Sequence, residues 1–171
     1  MLYTEWQSPI GPLTMLSTEK GICVLEFGTW HSLENTLNCW AKRWLLHSRF
    51  YRDDQAFSSV ISQLDEYFQG KRFTFDIPLQ LFGTPFQKKV WTALLSIPYG
   101  ETRSYKEIAN AIAQPTAVRA VGNANNKNPI AIIIPCHRVI GSNGALVGYG
   151  GGIERKQQLL ALEKASLHPS E

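Results

Sequence analysis

Three short stretches near the start of the chain alternate apolar and polar positions, residues 2–7, 12–18 and 21–27, with the turn-forming segments "SPIGP" and "EKG" between them. This pattern predicts a compact antiparallel meander. Residues 33–47 read as a poorly capped helix. Residues 56–69 read as a better one, because Phe57, Val60, Ile61, Leu64, Tyr67 and Phe68 fall on one stripe and Gly70 follows as a stop. Around "LFGTPFQ" the pattern turns from strand-like to helix-like, so the reading divides the chain into a three-stranded sheet and helix domain, 1–83, and a mainly helical domain, 84–171. The fold class expected is therefore α+β.

Capping signals organise the second half. Thr84-Pro85-Phe86-Gln87 is a capping box with proline at the first helical position, and its helix carries Phe86, Val90, Leu94 and Leu95 inward until Pro98-Tyr99-Gly100. Ser104 and Glu107 form a second box, opening a short helix with Ile108 and Ile112 on its inner side. Gln114-Pro115-Thr116 then turns into a third helix, "TAVRAVGNAN", and the pair forms a helix-turn-helix. The isoleucine-rich run after it reads as a buried strand ending at Pro135-Cys136-His137-Arg138, followed by a glycine-rich loop and a last helix at about 153–165.

Composition narrows the class. Hydrophobic residues are 44% and charged residues 18% of the 171, the balance of a globular protein rather than a disordered one. No apolar run approaches the roughly 20 residues that cross a bilayer, and the first residues do not resemble a secretory signal. Cys23, Cys39 and Cys136 are an odd set without a C-x-x-C pair, which favours a reducing cytoplasm over a disulfide or zinc scaffold. The net charge of +3 conceals an asymmetry: residues 1–83 hold 7 Lys/Arg against 9 Asp/Glu, whereas residues 84–171 hold 10 against 5. A basic half suits a polyanionic partner, although an ordinary solvated surface gives the same count.

Two features carry candidate chemistry. The third helix is thin, with Ala117, Ala120, Gly122 and Ala124, and Arg119 is its only charge. A major-groove reader displays several long polar side chains; a smooth helix fits the narrow minor groove, or else simply packs closely against neighbours. Cys136 has three readings: an inert core thiol, a metal ligand lacking partners, or a nucleophile aided by His137 and a distant carboxylate. The turn by itself leaves them open.

The order "SYKEIA", "AVRAVGNANNKNPIAIIIPCHRVIG", "GYGGGIERKQQLLALE" resembles the O6-alkylguanine-DNA alkyltransferase family, the methylated-DNA–protein-cysteine methyltransferases. The resemblance is close over residues 83–165 and general over the first half, where "SPIGPL" carries it, and it points to a stand-alone, Ogt-like bacterial member. It implies repair of DNA by direct reversal: an everted O6-alkylguanine, and probably O4-alkylthymine, gives its alkyl group irreversibly to a cysteine of the protein. Cys136 matches that acceptor, His137 the residue taking the thiol proton through a water, and Glu163 the carboxylate that orients the imidazole. Tyr105 matches a tyrosine serving the leaving guanine, and Asn128 the hinge asparagine between recognition helix and active-site turn. Arg119 matches the finger that replaces the extruded base, with Ala120 beside it on the DNA-facing helix. Tyr149 matches a pocket aromatic, Val139 a carbonyl contact to the base, and Lys156 a positive charge near it, an exposed helical lysine being the other reading of Lys156.

Two positions depart from some relatives: Gly150 stands in place of a serine and Ala131 in place of a proline, which implies a roomier pocket accepting bulkier alkyl groups. Some relatives hold zinc in the first domain; "LSTEKG" has no cysteine at that place, so neither metal nor cofactor is expected. The partner implied is double-stranded DNA, bound through the minor groove by a monomer, without a membrane. Two other activities fit parts of the pattern: a binder that flips damaged bases without reacting, and a Cys-His-Glu hydrolase.

Overall fold

The computed structural model describes residues 1–44 and 49–169, and they divide into two compact units, Met1–Phe82 and Gly83–Glu171. Helices and a small mixed sheet give an α+β protein.

The first unit is built on β1 (Leu2–Ser8), β2 (Gly11–Thr18) and β3 (Gly21–Phe27), paired antiparallel in register Trp6↔Leu13 and Met15↔Leu25. The expected three-stranded sheet needs correction, because β4 (Tyr51–Arg52) adds a fourth strand parallel to β1 in the order β3-β2-β1-β4. Its side chains are exposed and too few to alternate, so only backbone pairing defines it: Tyr51 N donates to Met1 O at 3.0 Å and Asp53 N to Tyr3 O at 3.0 Å. The opposite edge is covered as well, by Ile22 N donating to Pro78 O at 2.9 Å and Gln80 N to Ile22 O at 2.8 Å.

Pairing sends alternate residues to opposite faces. Leu16, Val24 and Tyr3 meet Leu33, Leu37 and Trp40 of α1 (Trp30–Trp44), whereas Trp6 on the other face packs against Phe68 of α2 (Ser58–Phe68). The helix read over 33–47 begins earlier than expected, and residues 45–47 lie outside the described residues. Its start is set from far away in sequence, since Glu5 Oε2 accepts the Trp30 N–H at 2.6 Å.

Glu26 lies in the same cross-strand row as Glu5 and Thr14. Burial pushes its carboxyl up to about 7, against the opposing hydrogen bond from the Phe27 backbone. The folded protein thus keeps a proton that the unfolded chain loses near 4.5. The resulting stabilisation is full below that value, falls as pH rises and is gone above about 7. Glu26→Gln is expected to remove this slope, separating the two stability curves by about 3 kcal/mol between the acidic and neutral ends. Urea unfolding across that range checks it, and parallel curves would refute it.

In the second unit, α3 (Pro85–Leu94) and α4 (Tyr105–Ala111) open with complete capping boxes at Thr84 and Ser104. Leu95, expected inward, is exposed; Trp91 takes the inner place and donates Nε1–H to Ala124 O at 2.8 Å in α5 (Val118–Asn126). The isoleucine-rich run is not a strand. Ile132 adopts φ 69°, and Ile133 N and Ile134 N donate back to Ala131 O and Ile130 O at 2.8 and 3.1 Å. An apolar run of this length signals burial and not its backbone form. A β-branched residue in the left-handed region costs about 1–3 kcal/mol, and the surrounding buried isoleucines hold it there.

Candidate active site

The local fold brings together residues far apart in sequence. β5 (Arg103–Ser104) pairs parallel with β6 (Val139–Ile140) in register Arg103↔Val139. This ladder sets the first residue of α4, Tyr105, beside the 3-10 turn Cys136–Arg138 that runs directly into β6. The turn tightens because Cys136 N donates to Ile134 O at 2.8 Å and Arg138 N to Pro135 O at 3.0 Å.

Cys136 is only 5% exposed. Asn128 holds it in place: Nδ2–H points to Cys136 Sγ at 3.1 Å and to Ile134 O at 2.8 Å, while Oδ1 accepts Ile130 N–H at 3.0 Å. One amide therefore ties the end of α5 to the turn, and Asn125 Nδ2 adds a longer bond to Cys136 O at 3.4 Å.

His137 and Glu163 are fully buried, Glu163 coming from α6 (Ile153–Leu167). The imidazole Nε2 lies 2.7 Å from Glu163 Oε1. With Nε2–H donated to the carboxylate, a neutral ring keeps its lone pair on Nδ1. That buried atom has no hydrogen-bond partner among the described residues. Burial lowers the His137 pKa, Glu163 works against it, and the charges of Arg138 and Lys156 lower it further. Burial would raise the Glu163 pKa, but hydrogen bonds and charge from His137 and Arg138 outweigh it and hold the carboxyl at about 2. Glu163 is thus a buried, partnered carboxylate and not a solvated one on the helix face.

Arg138, to which the sequence assigns no role, binds both oxygens of this carboxylate. Its Nε donates to Oε2 at 2.9 Å, its Nη2 to Oε1 at 2.8 Å, and its Nη1 to Ile97 O at 2.8 Å, with the guanidinium 5.5 Å from the Tyr99 ring centre. Gly100 N donates to Oε2 at 3.1 Å, from a backbone at φ 79° where an added Cβ would fall 2.1 Å from Leu167 Cδ1. The signal available beforehand was adjacency alone, because an arginine is exposed by default.

Lys156, for which an exposed position was one reading, is completely buried. Its Nζ donates to Val139 O at 2.5 Å and Val147 O at 2.9 Å. Burial lowers its pKa to about 8, partly offset by the nearby Cys136. Tyr105 Oη donates to the same Val147 O at 2.7 Å, so two side chains grip one carbonyl of the glycine-rich loop. Gly148, next in the chain, has φ 65°, and a Cβ there would sit 3.2 Å from Tyr105 Oη. Burial raises the Tyr105 pKa, and the charge of Cys136 adds to this.

Tyr149 is buried in the loop and Gly150 is exposed. Arg119 and Ala120 lie on the exposed side of α5, away from Val121, Ala124 and Asn125, which are buried. Gly122 faces the Tyr105 ring, where an added Cβ would make an ordinary contact at 3.8 Å. Ala131 is buried in the run before the turn. Among the described residues, no three His, Cys, Asp or Glu side chains converge as a metal site would require.

This arrangement has the parts of a proton relay: a thiol on a turn, a neutral imidazole beside it in sequence, and a buried anion behind the imidazole. Comparison with known proteins gives it a lineage. Residues 85–165 match the DNA binding domain of 6-O-methylguanine DNA methyltransferase, and residues 1–81 match the ribonuclease-like domain of the same family. A methylated-DNA–protein-cysteine methyltransferase of Mycobacterium tuberculosis is 52% identical over 163 residues, 95% of this chain and 92% of the relative. One from Methanosarcina barkeri is 49% identical over 167 residues, 98% of this chain and 99% of the relative. The crystal structure of M. tuberculosis OGT in complex with DNA superposes with a TM-score of 0.83 at 48% identity, covering 97% of this chain and 94% of that one. The chain belongs to the 6-O-methylguanine DNA methyltransferase family.

Proposed function

We propose that the protein repairs double-stranded DNA by moving the alkyl group of O6-alkylguanine onto Cys136, once per molecule. The observation that carries this reading is a His137, next to Cys136 in the turn, that is hydrogen-bonded to a buried Glu163 held ionised by His137 and Arg138 together.

The chemistry balances as a displacement. The Cys136 sulfur forms a bond to the sp³ alkyl carbon while the bond from that carbon to O6 breaks and its electron pair stays on guanine. The thiol proton passes through a water to His137 Nδ1, the buried atom with no hydrogen-bond partner among the described residues. Glu163 steadies the imidazolium that results; the departing guanine anion takes the Tyr105 hydroxyl proton, and the imidazolium proton returns through the water to restore the tyrosine. The net result is an S-alkyl cysteine and an ordinary guanine. A thioether is a poor leaving group at neutral pH, so the reaction ends there and the protein is consumed.

Reaching a base inside a duplex requires turning it out of the stack, at a cost of a few kcal/mol. Arg119, exposed on α5, fills the gap left behind, and small Ala120 lets the helix lie close in the minor groove. Tyr149, the Gly150 backbone and the second lone pair of Val139 O receive the base, and Lys156 keeps Val139 O and the loop in place. Asn128 positions the thiol. O4-alkylthymine presents a comparable alkyl ether and is a second substrate. The protein acts as a monomer, and its need for a reduced thiol places it in the cytoplasm; no helix among the described residues is long and apolar enough to cross a membrane.

Mass spectrometry after mixing the protein with duplex DNA containing O6-methylguanine tests the reading. One permanent methyl group on the Cys136 peptide, equal to the guanine repaired, is the expected result. Binding without an adduct would make the protein a damage sensor, and repeated turnover would make it a hydrolase; either outcome overturns the proposal.

A further inference from the structure

We infer that Arg138 is a positioning residue for the transfer step: by occupying the Glu163 carboxylate and setting a fixed positive charge beside the imidazole, it keeps His137 a neutral base in the resting protein. The inference rests on the reading of Cys136 as the alkyl acceptor and of His137 as its base.

Glu163 Oε1 is shared, accepting from His137 Nε2 at 2.7 Å and from Arg138 Nη2 at 2.8 Å. A buried carboxylate needs a neutralising partner. Were the imidazole the only candidate, the favoured state would be an imidazolium–carboxylate pair, and an imidazolium has no lone pair with which to take the thiol proton. Arg138 meets the need instead. It is permanently charged and grips both carboxylate oxygens, while Ile97 O and the Tyr99 ring fix its plane.

The surroundings of His137 agree. From α6 it faces Glu163 and Lys156, from its own turn Cys136 and Arg138, and the tyrosines nearby are Tyr105 of α4 and Tyr99 of the segment after α3. Burial raises the pKa of both tyrosines, so they stay neutral at physiological pH. A proton on His137 would therefore meet one anion, the Glu163 carboxylate that it shares with Arg138, against the two cations Arg138 and Lys156. The imidazolium formed in the reaction is accordingly short-lived, which favours onward transfer of its proton to the leaving guanine. Arg138 also disfavours a drift of the proton past the imidazole onto Glu163, because its two short hydrogen bonds and its charge stabilise the ionised carboxylate.

The test combines NMR of the histidine side chains with single-turnover alkyl transfer from O6-methylguanine duplex across pH 5–9. In the wild-type protein His137 should be the neutral tautomer carrying its proton on Nε2 at pH 7; an imidazolium there overturns the inference, whatever any variant does. In Arg138→Met the acid limb of the rate profile should move upward. The rate at neutral pH should then fall by about tenfold or more and recover as pH rises. Arg138→Lys keeps the charge but not the fork, so it should retain the wild-type limb with a smaller loss. A purely structural role predicts equal loss at every pH with an unmoved limb, and that result would also overturn the inference. If Arg138→Met does not fold, the wild-type spectrum and the Arg138→Lys profile decide. Failure of the acceptor reading stays distinguishable, because it leaves Cys136 unalkylated in the wild-type protein.

Discussion

Cys136→Ala should abolish alkyl transfer altogether while leaving affinity for undamaged duplex DNA within about threefold of the wild type. DNA affinity of this kind comes chiefly from contacts to phosphates, which the thiol does not make. The fold should also survive, since the side chain lost is small and the hydrogen bond from Asn128 Nδ2 that goes with it is worth about 1 kcal/mol. Cys136→Ser is the more demanding version. It retains a hydrogen-bonding atom at the same place, but a serine hydroxyl is far less acidic than a thiol, and the imidazole cannot generate enough alkoxide to attack an sp³ carbon. Intact-mass and duplex-binding assays on both variants check the pair. Any alkylated Ala variant, or a Ser variant alkylated at a rate near wild type, would place the acceptor elsewhere.

Glu163→Gln should be the most damaging conservative substitution in the second unit, because it alters both stability and chemistry. It leaves the buried Arg138 guanidinium without its anion, and breaking such a pair from one side costs about 3–5 kcal/mol. It also removes the charge that stabilises a protonated His137, so the surviving folded fraction should transfer alkyl groups about 10²–10⁴ times more slowly. The pH dependence has a definite sign. The folded carboxyl sits at about 2 against 4.5 when unperturbed, so its stabilisation is complete above about 4.5 and disappears as pH falls through about 2. Acid unfolding should be steep in the wild type and flatter in Glu163→Gln, whose amide has no proton to gain. Chemical denaturation at neutral and acid pH reads both effects, and a variant as stable as wild type with an unchanged slope would remove Glu163 from the centre of the site.

Different physics made different parts of the protein readable beforehand. The strands of the first unit and the capped starts of α3 and α4 were legible because their signals are local: alternation, a turn residue, an acceptor three positions from a donor. α1 started elsewhere than expected because Glu5, 25 positions earlier, supplies its first acceptor. β4 was invisible because it is backbone pairing without a side-chain pattern. The run before Cys136 was misread as a strand, since unbroken hydrophobicity says only that a segment is buried.

The chain alone determined that a thiol and an imidazole would stand together on a turn, that two capped helices would precede it, and that its second half would be basic, for these are matters of adjacency and composition. Tertiary structure decided which charges meet there. Lys156 turned inward to two carbonyls and Arg138 clasped Glu163, although long cationic side chains are usually solvated. The reason is that desolvating a charge is unfavourable until a matching partner is in place, and here those partners lie 9 to 41 positions away in the chain.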